Sequence, residues 1–169
     1  MDKLEYLSTE LYINKVCTNC PLKLYNKKDS KVIYGIGNIY ANTILILPPY
    51  KLNSKDNPLT IISDLYTKNT SKNILEEYYI TRSIKCYKSS DFNLYDSACK
   101  CCSHFCIHEI CRIKPKKVII LDKNYSNIIE EFCDKYKINY IRLMNPNVMK
   151  YNDNILKEAF IKQFNEYVI

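Results

Sequence analysis

The chain has 169 residues, with 25 Lys+Arg against 18 Asp+Glu for a formal charge of +7, nine cysteines, two glycines and no tryptophan. That length suits a single domain, residues 1–169, able to bury a core without covalent staples, and it contains no apolar run near the roughly 20 residues of a membrane span. The spread of lysines among tyrosines suits a polyanion, nucleic acid above all, and no membrane, although a coding bias toward lysine, asparagine, tyrosine and isoleucine gives the same composition.

Leu4, Leu7, Leu11 and Tyr12 share one face of a helix predicted over residues 2–15. Cys17-Thr18-Asn19-Cys20-Pro21-Leu22 follows as a tight loop carrying the first thiol pair. A short β-like run over 31–34 ends at Gly35-Ile36-Gly37-Asn38, which reads as a turn. Thr43-Ile44-Leu45-Ile46-Leu47 is a continuous apolar run of strand length, stopped by Pro48-Pro49 and expected to be buried on both sides. Helical patterns over 58–67 and 72–77 lead to a second strand over 78–81, which delivers Arg82 and Cys86 to the loop after it. A cysteine-rich helix over 100–113, stopped by Pro115, runs into a third strand over 118–121. A helix over 124–136, a fourth strand over 139–143 and a closing helix over 153–167 complete the chain. Helix and strand alternate, so the expected class is α/β: three layers, α/β/α, around a four-stranded, mainly parallel sheet. Function in such folds sits in loops beyond the carboxyl ends of the strands. Here those loops begin at Leu47, Arg82, Asp122 and Met144.

The first residues, MDKLEYLSTELY, lack the apolar stretch of a secretion signal. An intracellular, reducing location, cytoplasmic or nuclear, is therefore expected, and there cysteines read as metal ligands rather than disulfides. Cys17, Cys20, Cys86 and one thiol of the Cys99–Cys111 group could supply the four thiolates of an iron–sulfur cluster. The alternative is a zinc site drawn from Cys99, Cys101, Cys102, Cys106, His104 and His108, several of them one helical turn apart.

The order of these motifs is specific. Cys-x-x-Cys-Pro-Leu after an amino-terminal helix, a Gly-x-Gly turn, a strand, then Tyr79-Ile80-Thr81 with Ile84-Lys85-Cys86, resembles the iron–sulfur (family 4) uracil-DNA glycosylases. Their last ligand opens a helix, and Cys102 to Lys116 follows that segment position for position. The resemblance covers roughly residues 4–160 and implies a 4Fe–4S cluster on Cys17, Cys20, Cys86 and Cys102, with Cys106 and Cys111 as packed core thiols. It also implies a uracil-DNA glycosylase-like fold and DNA as partner.

The positions that carry the family's chemistry are altered. An acid after the first buried strand is Leu47 here, and leucine cannot position water. The aromatic ring that stacks on uracil is Leu59, which forgoes much of a stacking contact worth about 1–3 kcal/mol. The asparagine that reads the uracil edge is Arg82, a donor without an acceptor. The histidine after the last strand is Asn145. Together these changes lead to the expectation of a pseudoenzyme: a cluster-bearing, DNA-binding or assembly subunit of a replication or repair complex, viral ones included. Arg82, Lys85, Lys88 and Asn145 would then face nucleic acid. The alternatives are an active glycosylase with a rebuilt pocket and a zinc- or thiol-bearing interaction module.

Overall fold

The computed structural model describes residues 20, 34–50, 57–85, 93–122 and 127–169. In chain order its elements are β1 (Ile36–Gly37), β2 (Thr43–Leu47), α1 (Pro58–Thr70), α2 (Ile74–Glu77), β3 (Tyr79–Arg82), α3 (Asn93–Ile113), β4 (Lys117–Ile120), α4 (Asn127–Lys135), β5 (Asn139–Arg142), a 3-10 turn (Pro146–Lys150) and α5 (Asn154–Tyr167). The helix expected over 2–15 lies outside the described residues.

The class is α/β, as expected, but among the described residues the sheet has five strands rather than four, in the order β1-β3-β2-β4-β5. The strands β3, β2, β4 and β5 run parallel, and β1 pairs antiparallel with β3. The glycine pair read as a turn is therefore an edge strand. Gly37 has φ +103, and a Cβ there would lie 2.3 Å from the Tyr78 carbonyl oxygen, so only glycine fits this close approach. A Cβ at Gly35 would meet the Tyr79 ring at 2.4 Å.

Alternation along the strands divides the core in two. Ile80, Leu45, Ile119 and Ile141 lie in register across the sheet and join a cluster with Ile62 and Tyr66 of α1, Ile74 of α2, and Phe160 and Phe164 of α5. Tyr79, Ile44, Val118 and Tyr140 form the adjacent row and join Cys106 and Ile110 of α3 and Ile129 and Cys133 of α4. Ile44 through Leu47 are fully buried, and each such side chain contributes about 1.5–3 kcal/mol of apolar transfer.

Caps set the helix ends. Asn57 Oδ1 accepts from the Thr60 amide at 2.9 Å, with Pro58 opening α1. Ser71, in the left-handed region at φ 59, closes α1 with its amide on the Thr67 carbonyl. The second helical pattern, expected over 72–77, is shortened to Ile74–Glu77, where Asn73 Oδ1 accepts from the Leu75 amide at 3.1 Å as its cap. The cysteine-rich helix is longer than expected and begins at Asn93. Among the described residues, no helix is long and apolar enough to cross a membrane.

Candidate functional site

Strand order places the topological switch point between β2 and β4. The chain steps from β2 to β3 on one side and then returns to β4 on the other. A crevice beyond the carboxyl ends of these two strands is where open α/β sheets hold ligands. Four residues expected to begin loops or carry chemistry lie at these strand ends: Leu47, Arg82, Asp122 and Asn145.

Leu47 is fully buried, Tyr50 is 7% exposed and Arg82 is 2% exposed. The Arg82 guanidinium lies 4.3 Å from the centre of the Tyr50 ring and donates to the Tyr50 carbonyl oxygen at 2.9 Å. Cation, ring and carbonyl satisfy one another in a dry setting, where such a stack is worth about 2 kcal/mol. Burial pushes the Tyr50 phenol above its ordinary value, and the Arg82 charge offsets part of that rise. Next to Arg82, the Ser83 hydroxyl donates to Asp122 Oδ2 at 2.5 Å, and the Ser83 amide reaches the Leu47 carbonyl at 3.4 Å. Ser83 and Asp122 are both fully buried. Asn145 Oδ1 accepts from the Asn147 amide at 2.9 Å and caps the 3-10 turn. Leu59 packs partly buried against the Leu45 and Phe164 cluster.

A second buried polar group was not anticipated. Glu109 of α3 is fully buried. Its Oε1 accepts from the Gly35 amide at 2.8 Å and the Tyr79 hydroxyl at 3.1 Å. Its Oε2 accepts from the Thr81 hydroxyl at 2.7 Å and from Lys85 Nζ at 2.5 Å, and Lys85 Nζ also contacts Thr81 Oγ1. One carboxylate thus ties β1, β3 and the segment after β3 to α3. Glu109 interrupts the otherwise apolar stripe of Cys102, Phe105, Cys106 and Ile110, and that was the signal available in the sequence.

These contacts correct the expected nucleic-acid positions. Arg82 and Lys85, placed by the sequence at a phosphate-contacting groove, are 2% and 1% exposed and spend their charges inside the protein. Each finds an interior partner, Tyr50 for Arg82 and Glu109 for Lys85. Lys88, with Cys17 and Cys86, lies outside the described residues.

Cys20 and Cys102, two of the four expected cluster ligands, meet in a small buried group with Ile84 and Ala98, against which Cys101 packs. They are 3% and 2% exposed. Burial, together with the neighbouring Cys20 thiol, raises the Cys101 thiol above its ordinary value. Soft thiolates gathered in an apolar pocket suit iron–sulfur or zinc ligation, so the described half of the donor set fits the expected group.

The zinc set drawn from α3 alone does not assemble. Cys106 belongs to the core beneath β2 and β4 while Cys102 faces Cys20, and His104 is exposed. Among the described residues, no group of three or more His, Cys, Asp or Glu side chains could hold a metal ion. Cys106 is a packed core thiol as expected, raised well above its ordinary value by burial. Cys111 is exposed instead, because its position on α3 faces away from the sheet. Cys133 is fully buried, and burial pushes its thiol up to about 11. No protein-family model and no curated protein matches the chain.

Proposed function

We propose that this chain is a catalytically silent relative of the iron–sulfur uracil-DNA glycosylases, built on their three-layer architecture. In this role it serves as a DNA-binding or assembly subunit in a replication or repair complex, viral ones included. The observation that carries the proposal is the Arg82–Tyr50 stack. A glycosylase must receive an extruded base and grip its edge, and here the position for that grip is buried on the chain's own tyrosine. The neighbouring positions support the same conclusion: Leu47 offers no acid, and Asn145 spends its side-chain oxygen on a cap.

A 4Fe–4S cluster on Cys17, Cys20, Cys86 and Cys102 is part of the proposal, supported by the meeting of Cys20 and Cys102. When bound, it would act as a cross-link between chain segments rather than as a reagent. Anaerobic purification with iron and sulfide assay tests this. The expected result is a visible charge-transfer band and about four irons per chain, lost in Cys102→Ala and kept in Cys133→Ala. A colourless, zinc-loaded protein, or two variants that behave alike, would overturn the ligand assignment.

A further inference from the structure

With Arg82 and Lys85 occupied inside the protein, a surface cation cluster has to be sought elsewhere. The amino-terminal edge of the sheet supplies one. Lys117 opens β4 and pairs in register with Asn139, the first residue of β5. The two approaches to those strands therefore lie side by side, about 4.8 Å apart in the sheet.

One approach carries Lys114 and Lys116, the other Lys135 and Lys137, and all four are exposed. The contacts that fix these approaches involve backbone and leave the side chains outside. The Lys116 and Lys117 amides donate to the Asn42 carbonyl at 2.8 and 3.1 Å. The Lys114 amide closes α3 on the Ile110 carbonyl at 2.8 Å, and the Lys137 amide closes α4 on the Asp134 carbonyl at 3.2 Å. The described ion pairs are Lys72–Glu77, Lys85–Glu109 and Arg142–Glu130, and none of these edge lysines takes part.

Aromatic surface is interleaved with the charge. Tyr136 is 57% exposed, with Lys135 Nζ 5.5 Å from its ring centre. Lys117 Nζ lies 5.5 Å from the ring centre of Tyr167, which is 37% exposed. The Phe132 ring supports Tyr136 at 4.6 Å between centres, and lysines beside partly exposed tyrosine rings are the two components of a single-strand nucleic-acid surface: cations for phosphates and ring surface for bases. An anionic lipid surface would use the lysines alone.

Resting on the nucleic-acid-binding role proposed above, we infer that single-stranded nucleic acid binds across the amino-terminal edge of β4 and β5, its phosphates on Lys114, Lys116, Lys135 and Lys137 and a base on Tyr136. This face is opposite the crevice at the carboxyl ends of the strands, so it functions whether or not that crevice is closed.

The test compares two double variants that remove equal charge. Lys116→Gln/Lys137→Gln alters the edge, and Lys150→Gln/Lys162→Gln alters exposed lysines elsewhere. Binding of a labelled oligothymidylate is followed by fluorescence anisotropy across a salt series, with circular dichroism melting to confirm folding. Removing two phosphate contacts should make the slope of log K against log salt shallower by about 1.4 in the edge variant, with the other variant indistinguishable from wild type. Equal losses in both variants, or none in either, with binding by the wild type, would overturn this site and leave the DNA-binding role intact. No oligothymidylate binding by the wild type would overturn the site, and absence of binding to duplex DNA as well would overturn the DNA-binding role with it. Binding to phosphatidylserine vesicles without oligothymidylate binding, weakened only in the edge variant, would assign the edge to a membrane surface instead.

Discussion

Replacing Glu109 by glutamine tests the interior network most severely. The carboxylate accepts four hydrogen bonds, two at each oxygen, and one donor is the Lys85 ammonium. Glutamine keeps the shape but presents one acceptor and one donating amide. If the amide faces Lys85, two donors oppose each other across a buried contact. If it faces Gly35 and Tyr79, the same conflict arises there. Either way Lys85, 1% exposed, keeps a charge with no counter-charge from this partner. Removing one member of a buried ion pair costs about 3–5 kcal/mol, a large share of a stability of about 5–15 kcal/mol. At about 2–4 °C per kcal/mol for a chain of this size, the melting temperature should fall by roughly 6–20 °C.

A rescue follows from the same geometry. With Lys85→Met added, the glutamine oxygen can accept from Gly35 and Tyr79 while its amide donates to Thr81, so Glu109→Gln/Lys85→Met should recover more than half of the loss. Urea unfolding of wild type, Glu109→Gln, Lys85→Met and the double variant forms a complete cycle. A loss below about 1 kcal/mol for Glu109→Gln, or no rescue in the double variant, would show that the pair does not hold these elements together.

Two further outcomes follow. Gly37→Ala forces a side chain into a φ of +103 and against the Tyr78 carbonyl, so it should cost more than about 1 kcal/mol in urea unfolding; a neutral effect would mean the β1 edge pairing is dispensable. The Cys133 thiol is raised from 9.0 to about 11 in the folded chain, so the folded state holds its proton more tightly than the unfolded state does. Its contribution is fully present below pH 9.0 and is lost as pH rises toward about 11. Over that window, unfolding free energy should decline less steeply with pH in Cys133→Ala than in wild type, and equal slopes would remove Cys133 as a cause.

Much of the framework was legible because it rests on local pattern. An uninterrupted Thr43–Leu47 run can only be buried on both faces, and alternating helices then force parallel strands. What escaped was long-range. The two-residue β1 has no periodicity of its own and exists because Ile36 and Gly37 meet Ile80 and Tyr79. The interior fates of Arg82 and Lys85 depend on Tyr50, 32 positions away, and Glu109, 24 positions away. A charged residue alone in sequence reads as exposed, since lysine and arginine are rarely buried unless paired. The pair that overturns that expectation forms only once the strands are assembled. The thiols show the same division: the resemblance in motif order brought Cys20 and Cys102 forward, whereas the outward turn of Cys111 is a matter of which face of α3 meets the sheet.

Uracil release from uracil-containing DNA, single- and double-stranded, by protein purified anaerobically and reconstituted with iron and sulfide is the most direct test of the central claim. A buried Arg82 stacked on Tyr50 predicts release no faster than a buffer blank. Release above the blank that disappears in Asn145→Ala would contradict it and make the chain an enzyme.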